Sequence, residues 1–382
     1  MTRSLTIIPV LGMPEVQRGD DVAELVLAAL GDSGIEPGDA VVVSSKIVSK
    51  ALGLTAVGSD KTELVLSESV RVVAERSVGD RVTRVVESVA GPVMAAAGID
   101  ASNTGPSDQL LLLPRDPDTC ARTVRSGLLE LSGMPSGAPL AVILSDTAGR
   151  PWRAGLTDFA LGSAGLRVLL DHRGEVDADG RLMSVTARAV ADEIAAAADL
   201  VKGKTDGVAV AVVRGLPESW FVATDVAAAS ADSAASTAAS ADATGEFASG
   251  AGQLVRTGAG DWFALGHVEA LRQALGVAPG SPDSEGVGIR SVGAETFADR
   301  VARVVSLTLF ADEDASVDLE LDVVHGDPEA VATVTLGAAD DFALGRLAQR
   351  FEIAAASEDL HPTLTGEPTA EHSVTATLSP GP

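Results

Sequence analysis

Residues 139–150 read PLAVILSDTAGR, and the two halves of that stretch differ in kind. Pro139 to Leu144 form an unbroken apolar run with branched side chains, the pattern of a strand buried on both faces. Ser145 to Arg150 are small and polar. A buried strand opening into a polar loop is a unit of a mixed α/β fold, in which chemistry collects at strand ends. Working outward, LTIIPV (5–10), Ala40 to Val43 and VAVAVVRG (208–215) read as further short strands, and LLLLP (110–114) is an apolar run stopped by Pro114. Helical spacing lies between them. Val22, Leu25, Val26, Ala29 and Leu30 follow the capping candidates Asp20 and Asp21, and RDPDTCARTVRSGLLEL starts a helix capped near Asp116 or Asp118. The pattern also predicts helices over Lys61–Ala74 and over the alanine-rich stretch Ala187–Leu200.

The fold class is therefore α+β of mixed α/β character, with a core over 1–224. Residues 225–286 hold an Ala/Ser/Gly-rich loop, a helix within 260–276 that docks back on the core, and the linker VAPGSPDSEG. Residues 287–382 read as a small accessory α/β domain. It has helices over 295–308 and 339–356, strands over 316–325 and 330–336, and a frayed tail. No chemical motif appears in it.

Of 382 residues, 46% are hydrophobic and 21% charged, which fits a folded chain rather than a disordered one. The net charge of -26 sets the surface against phosphate backbones and anionic lipid, which argues against nucleic-acid and membrane partners. No apolar run approaches the ~20 residues of a membrane helix, and MTRSLTIIPV lacks a signal pattern. The single cysteine, Cys120, excludes an internal disulfide framework and fits a reducing cytoplasm.

Candidate chemistry sits at the strand ends. GIDASN (98–103) places Asp100 near Asn103, and SDTAGR (145–150) places Asp146 and Thr147 at the end of a buried strand. Oxygen donors of this kind hold hard cations, although a cap or turn role is the commoner use of such Asp residues. His172 is the only histidine in the first 266 residues, so a metal there would be Mg2+ or Mn2+ rather than zinc. Four of the five lysines fall in two motifs, SSKIVSK (Lys46, Lys50) and KGKTDG (Lys202, Lys204). After a strand, Ser45 and Lys50 can face an anion, and a turn with solvated lysines would read the same way. Gly203-Lys204-Thr205 is not a phosphate loop: Ala198 stands where the first glycine is required, and a helix precedes it. Lysines there complement a helix dipole. His172 has no triad partners, Ser163 in GSAG lacks a nucleophile elbow, and Cys120 reads as a core filler.

Taken in order, IIPVLGMPE, GDAVVVSSKIVSK, AAAGIDASN, LLLLPRDPD, VILSDTAGRPWRAGLTDFALGSAGL and VADEIAAAADLVKGKTDGVAVAVVRG resemble the coenzyme F-420-0: L-glutamate ligase family. The resemblance spans about residues 5–220. It implies a gamma-glutamyl ligase core that uses GTP to add L-glutamate to the lactyl-phosphate carboxylate of coenzyme F-420-0, through an acyl phosphate, with further gamma-linked glutamates as an extension. It further implies nucleotide contacts at Pro9, Val10, Leu11 and Gly12, at Ser45, Lys50 and Asn103, and along Lys202, Gly203, Lys204, Thr205, Asp206, Gly207, Val208 and Ala209. Asp100, Asp146 and Thr147 would hold Mg2+ or Mn2+, with K+ a further candidate cation, and the protein would be a homodimer. Gly203 falls where a further metal ligand is expected, which leaves a second metal to Asp206 or water. Actinobacterial relatives often carry a flavin-binding domain, and residues 287–382 are too short for a complete one. The alternative is a catalytically impaired GTP-binding or regulatory paralogue, or a scaffold whose acidic tail recruits a partner.

Overall fold

The computed structural model describes residues 4–58, 60–101, 109–222, 250–258, 261–310, 312, 314–322 and 330–381. The chain forms two compact units: Met1–Lys61 with Ser88–Asp261, and Thr62–Glu87 with Trp262–Pro382. In chain order the first elements are β1 (Thr6–Pro9), α1 (Val22–Leu30), β2 (Ala40–Ser44), α2 (Ser45–Leu52), β3 (Thr55–Val57) and α3 (Lys61–Ser67). Asp21 starts α1 by accepting the Ala23 and Glu24 backbone N–H groups at 2.8 and 3.2 Å. Next come β4 (Ser69–Val78), β5 (Arg81–Ser88), β6 (Val93–Ala95), β7 (Gln109–Leu111) and α4 (Pro117–Leu131). Asp116 caps α4, with Pro117 at the position where a missing N–H costs nothing. β8 (Ala141–Arg150) and β9 (Arg153–Ala164) make a long hairpin, followed by β10 (Leu169–Asp171), β11 (Ala187–Ala189), α5 (Val190–Lys202) and β12 (Val210–Arg214).

The central sheet of the first unit has the order β1-β12-β2-β8-β9, and only β2 and β8 are parallel. Strand alternation splits its side chains between two cores. Val41, Val43, Val142, Leu144, Val210 and Val212 face α1 and α4. Ala40, Val42, Ala141, Ile143, Ala211 and Val213 face α5. Burial on both faces is why these strands read as continuous apolar runs.

The second unit adds α6 (His267–Ala274), α7 (Pro282–Val287), α8 (Phe297–Leu309), β13 (Ser316–Asp322), β14 (Val331–Gly337), α9 (Asp341–Ser357), β15 (Leu360–Leu364) and β16 (Ser373–Pro380). Its sheet is antiparallel in the order β13-β14-β16-β15, packed on α8 and α9 through Val304, Leu307, Leu347, Phe351, Val334 and Leu378. Among the described residues no helix is long and apolar enough to cross a membrane.

Several elements differ from the sequence reading. The helix expected over Lys61–Ala74 stops at Ser67, and SVRVVAERSV is the strand β4, where β-branched residues favour the pleated backbone. The tail is not frayed: Val374, Ala376 and Leu378 alternate inward along β16 and complete the second sheet. Helix α6 spans only His267–Ala274 and belongs to the second unit, as do residues 62–87, so the compact units do not follow the boundaries at 224 and 287. From Ser45 onward SSKIVSK is helical, not a turn.

β9 lies against the start of α4 because Gly162 has no side chain: a Cβ there would stand 2.3 Å from the Pro117 carbonyl oxygen. Gly162→Ala should therefore lower the unfolding free energy by roughly 1–3 kcal/mol, the cost of overpacking. A urea titration checks this, and an unchanged midpoint would mean that the contact gives way freely.

Candidate active site

β2 and β8 run parallel and in register from Ala40↔Ala141 to Ser44↔Ser145, so the segments that follow them leave at the same end of the sheet. The turn from α5 into β12 arrives at that end too, since antiparallel β12 pairs Val210 with Val43. With Met13–Val16, these segments enclose a cavity of about 340 Å³.

β2 passes straight into α2, and Lys46 and Lys50 stand one helical turn apart, both on the cavity wall. Lys46 Nζ lies 2.6 Å from Asp100 Oδ2, and Lys50 Nζ 2.5 Å from Glu15 Oε1. Both pairs are partly solvated, and pairs of this kind contribute about 0–1 kcal/mol. An incoming polyanion can therefore take these ammonium groups over at little cost. Ser45 is buried, and its neighbour Ser44 lines the cavity instead.

The first expected nucleotide loop is placed differently. Pro9 closes β1, and Val10 is buried with its N–H donating to the Val210 carbonyl at 2.9 Å. Leu11 is exposed and Gly12 has φ 77°. None of these four lines the cavity, whereas Met13, Pro14, Glu15 and Val16 do. From the last segment, Lys202, Gly203, Lys204, Gly207, Val208 and Ala209 line it. Thr205 and Asp206 do not, and the Thr205 hydroxyl donates to Asp206 Oδ1 at 3.1 Å. Gly203 ends α5 with φ 60° and offers no side-chain donor atom. Asn103 lies outside the described residues.

Asp146 stands where β8 leaves the core, and its carboxyl is pushed up to about 6. Burial is the main cause. The Thr147 backbone N–H opposes it, the carboxylates of Asp100 and Asp158 add to it, and Lys46 opposes it again. Burial, and after it the neighbouring carboxylates, thus disfavour the charged form of Asp146, which a cation would relieve. Among the described residues no group of three or more His, Cys, Asp or Glu has metal-binding spacing. The carboxylates of Asp100 and Asp146 and the hydroxyl of Thr147 are nonetheless hard oxygen donors. Mg2+ is commonly bound by one or two carboxylates together with substrate phosphates, so the chemistry of these donors suits it. Asp146 and Thr147 line the cavity, whereas Asp100 is paired with Lys46 and does not line it.

Asp158 of β9 was not singled out by the sequence, yet it joins the most residues in the cavity wall. Lys202 Nζ donates to Asp158 Oδ2 and to Ser145 Oγ, each at 2.6 Å, and Ser145 Oγ donates to Asp158 Oδ2 at 2.9 Å. Thr147 Oγ1 donates to Asp158 Oδ1 at 2.6 Å. Lys204 Nζ donates to Thr147 Oγ1 at 2.6 Å and reaches Asp158 Oδ1 and Asp199 Oδ1 at 3.4 Å. Burial raises the Asp158 carboxyl, but Lys202 and the hydrogen bonds outweigh it and hold the group below its ordinary value. Lys202 does not simply cap the end of α5: its side chain and that of Asp158 are each 4% exposed. Lys204, 61% exposed, is the ammonium left facing the cavity. The one signal available in the sequence is a lone carboxylate inside the apolar run of LTDFALG (156–162).

The family model of F420-0:Gamma-glutamyl ligase matches residues 11–57 and 53–215, a stretch that contains every cavity-lining residue. Coenzyme F420:L-glutamate ligase of Methanothermobacter thermautotrophicus is 41% identical over 236 residues, 56% of this chain and 90% of the relative. The protein of that name from Halobacterium salinarum is 39% identical over 224 residues, 53% of this chain and 84% of its own. The Haloarcula marismortui protein is 38% identical over 231 residues, 55% and 87% respectively.

Lys202→Met would leave Asp158 buried without its ammonium and should cost about 3–5 kcal/mol of stability. Lys204→Met, on the exposed side, should cost less than about 1 kcal/mol. Denaturant titration of both variants checks this, and equal small losses would mean that solvent reaches Asp158.

Proposed function

The chain belongs to the F420-0:Gamma-glutamyl ligase family, whose members ligate glutamate in coenzyme F-420 biosynthesis, and we propose that it uses GTP and a divalent cation to join L-glutamate to the lactyl-phosphate carboxylate of coenzyme F-420-0. One observation carries this reading: a single cavity brings together Lys46, Lys50 and Lys204 with Asp146, Gly203, Gly207, Val208 and Ala209.

A carboxylate is a poor acylating agent. In the proposed reaction its oxygen attacks the γ-phosphorus of GTP, GDP leaves, and an acyl phosphate forms. The amine of glutamate then attacks the acyl carbon, loses a proton, and expels phosphate. Transfer of this kind needs positioning and charge neutralisation rather than a protein nucleophile. The lysines would bind and orient the phosphates. A divalent cation held by Asp100, Asp146 and Thr147 would polarise the transferred group. Among the described residues the cavity lining includes no cysteine or histidine. Cys120 lies in α4, its thiol pushed up by burial and by Asp116 despite the opposing Arg122, so it is a poor nucleophile.

A homodimer is part of the proposal. The β8–β9 hairpin carries Trp152 and Leu156 at 85% and 69% exposure, apolar surface that a second copy would cover. The single cysteine supports a cytoplasmic location. A GTP-binding relative without turnover is the second reading, favoured by the missing donor at Gly203.

The reading is tested by turnover and by binding. Asp146→Asn should cut glutamate transfer roughly a hundredfold while the protein stays folded; transfer within a few-fold of the parent would remove Asp146 from the site. Lys50→Met should weaken GTP binding about ten- to a hundredfold, the scale of a charged hydrogen bond. Lys61→Met, exposed at the start of α3, removes the same charge and should leave binding nearly unchanged. Calorimetric titration at fixed ionic strength decides between them, and equal dissociation constants would mean that Lys50 acts only through the overall field.

A further inference from the structure

The Asp158 network does something beyond neutralising Lys202. A hydroxyl has one proton to donate and two lone pairs to accept with. Thr147 spends its proton on Asp158 Oδ1 at 2.6 Å, which fixes the otherwise free rotor. One lone pair then accepts from Lys204 Nζ at 2.6 Å, and the other is left for the cavity. Asp158 itself cannot swing away. Its second oxygen is held by Lys202 Nζ at 2.6 Å and by Ser145 Oγ at 2.9 Å, all three groups being buried. Ser145 and Thr147 lie two apart on β8, so both hydroxyls point to the same face of the hairpin, where Asp158 stands directly opposite Thr147.

We propose that Asp158 is the positioning residue of the reaction: as a fixed hydrogen-bond acceptor it sets the Thr147 hydroxyl so that its free lone pair, and not its proton, meets a divalent cation in the cavity. The inference rests on the ligase reading only in taking that cavity as the cation site. What matters is the acceptor at position 158, not its charge. The buried Lys202 neutralises the carboxylate and so allows a permanent acceptor to sit inside the protein. Hydrogen-bond partners that orient a metal ligand are typically worth 10–100-fold in metal affinity or activity.

Two double variants separate an acceptor from a charge. D158N/K202M and D158V/K202M remove the same two charges, and replacing a buried pair by neutral groups of similar size is often tolerated. In the first, the Asn carbonyl can still accept from Thr147. In the second, nothing can. Mn2+ binding is read in the absence of nucleotide from the loss of the free-ion electron paramagnetic resonance signal, with the thermal midpoint recorded for each protein. D158V/K202M should bind Mn2+ at least about tenfold more weakly than D158N/K202M, with both remaining folded. T147V should lose as much as D158V/K202M, and combining the two should cost nothing further, because both delete one interaction. Equal Mn2+ affinity of the two doubles would overturn the proposal, as would additive losses on adding T147V. Should D158V/K202M not fold, T147V alone decides: Mn2+ affinity equal to that of the parent overturns the proposal. Mn2+ binding is measured without substrates, so absence of glutamate transfer by the parent protein would count against the ligase reading and not against this inference.

Discussion

The parallel pairing of β2 with β8 is the constraint on which the rest of the first unit depends. A parallel neighbour cannot be reached by a tight turn, so the chain between the two strands must cross over. Both strands consequently finish at one end of the sheet, and both motifs that follow them open into one cavity. Ser44↔Ser145 is the last rung of that ladder. Beyond it α2 presents its lysines, and β8 presents Asp146 and Thr147. Antiparallel β12 then starts at the same end, and Gly207, Val208 and Ala209, which lead into it, line the cavity. Opposite charges meet there because the topology brings four separated segments to one place.

Within that cavity, burial sorts the charged groups into two kinds. Lys202 and Asp158 are removed from water, and a buried pair gains little net stability from its own attraction. Its value lies in what it holds: with Ser145 and Thr147 it gives the strand end a single arrangement of hydroxyls. Lys46, Lys50 and Lys204 keep contact with solvent and are paired with carboxylates that can release them. An acidic protein that must bind an anion needs this second kind of lysine, since its general field is repulsive.

How much of this is legible in the sequence depends on whether the pattern is local. PLAVILSD and VAVAVVRG are legible as strands because burial on both faces makes them apolar throughout. SVRVVAERSV carries buried Val72 and Val73 side by side, a run whose period fits helix and strand alike, so only its partners settle it as β4. The tail strand β16 hides behind small and polar residues, with Val374, Ala376 and Leu378 as its only inward positions. Asp146 and Thr147 can be found from the strand end that carries them. Asp158 cannot, because its partners lie between 11 and 46 residues away in sequence and meet only in the fold.

The proposed chemistry has a direct signature. In phosphoryl activation the attacking carboxylate oxygen stays with the phosphorus when the amine displaces it, so one oxygen of the substrate is carried into the released phosphate. The decisive measurement is to incubate the protein with L-glutamate, GTP, Mg2+ and coenzyme F-420-0 labelled with heavy oxygen in its terminal carboxylate, and then to weigh the products by mass spectrometry. The account predicts a glutamylated product, GDP, and inorganic phosphate that carries the label. Glutamylation with unlabelled phosphate, or with release of GMP and pyrophosphate, would contradict it.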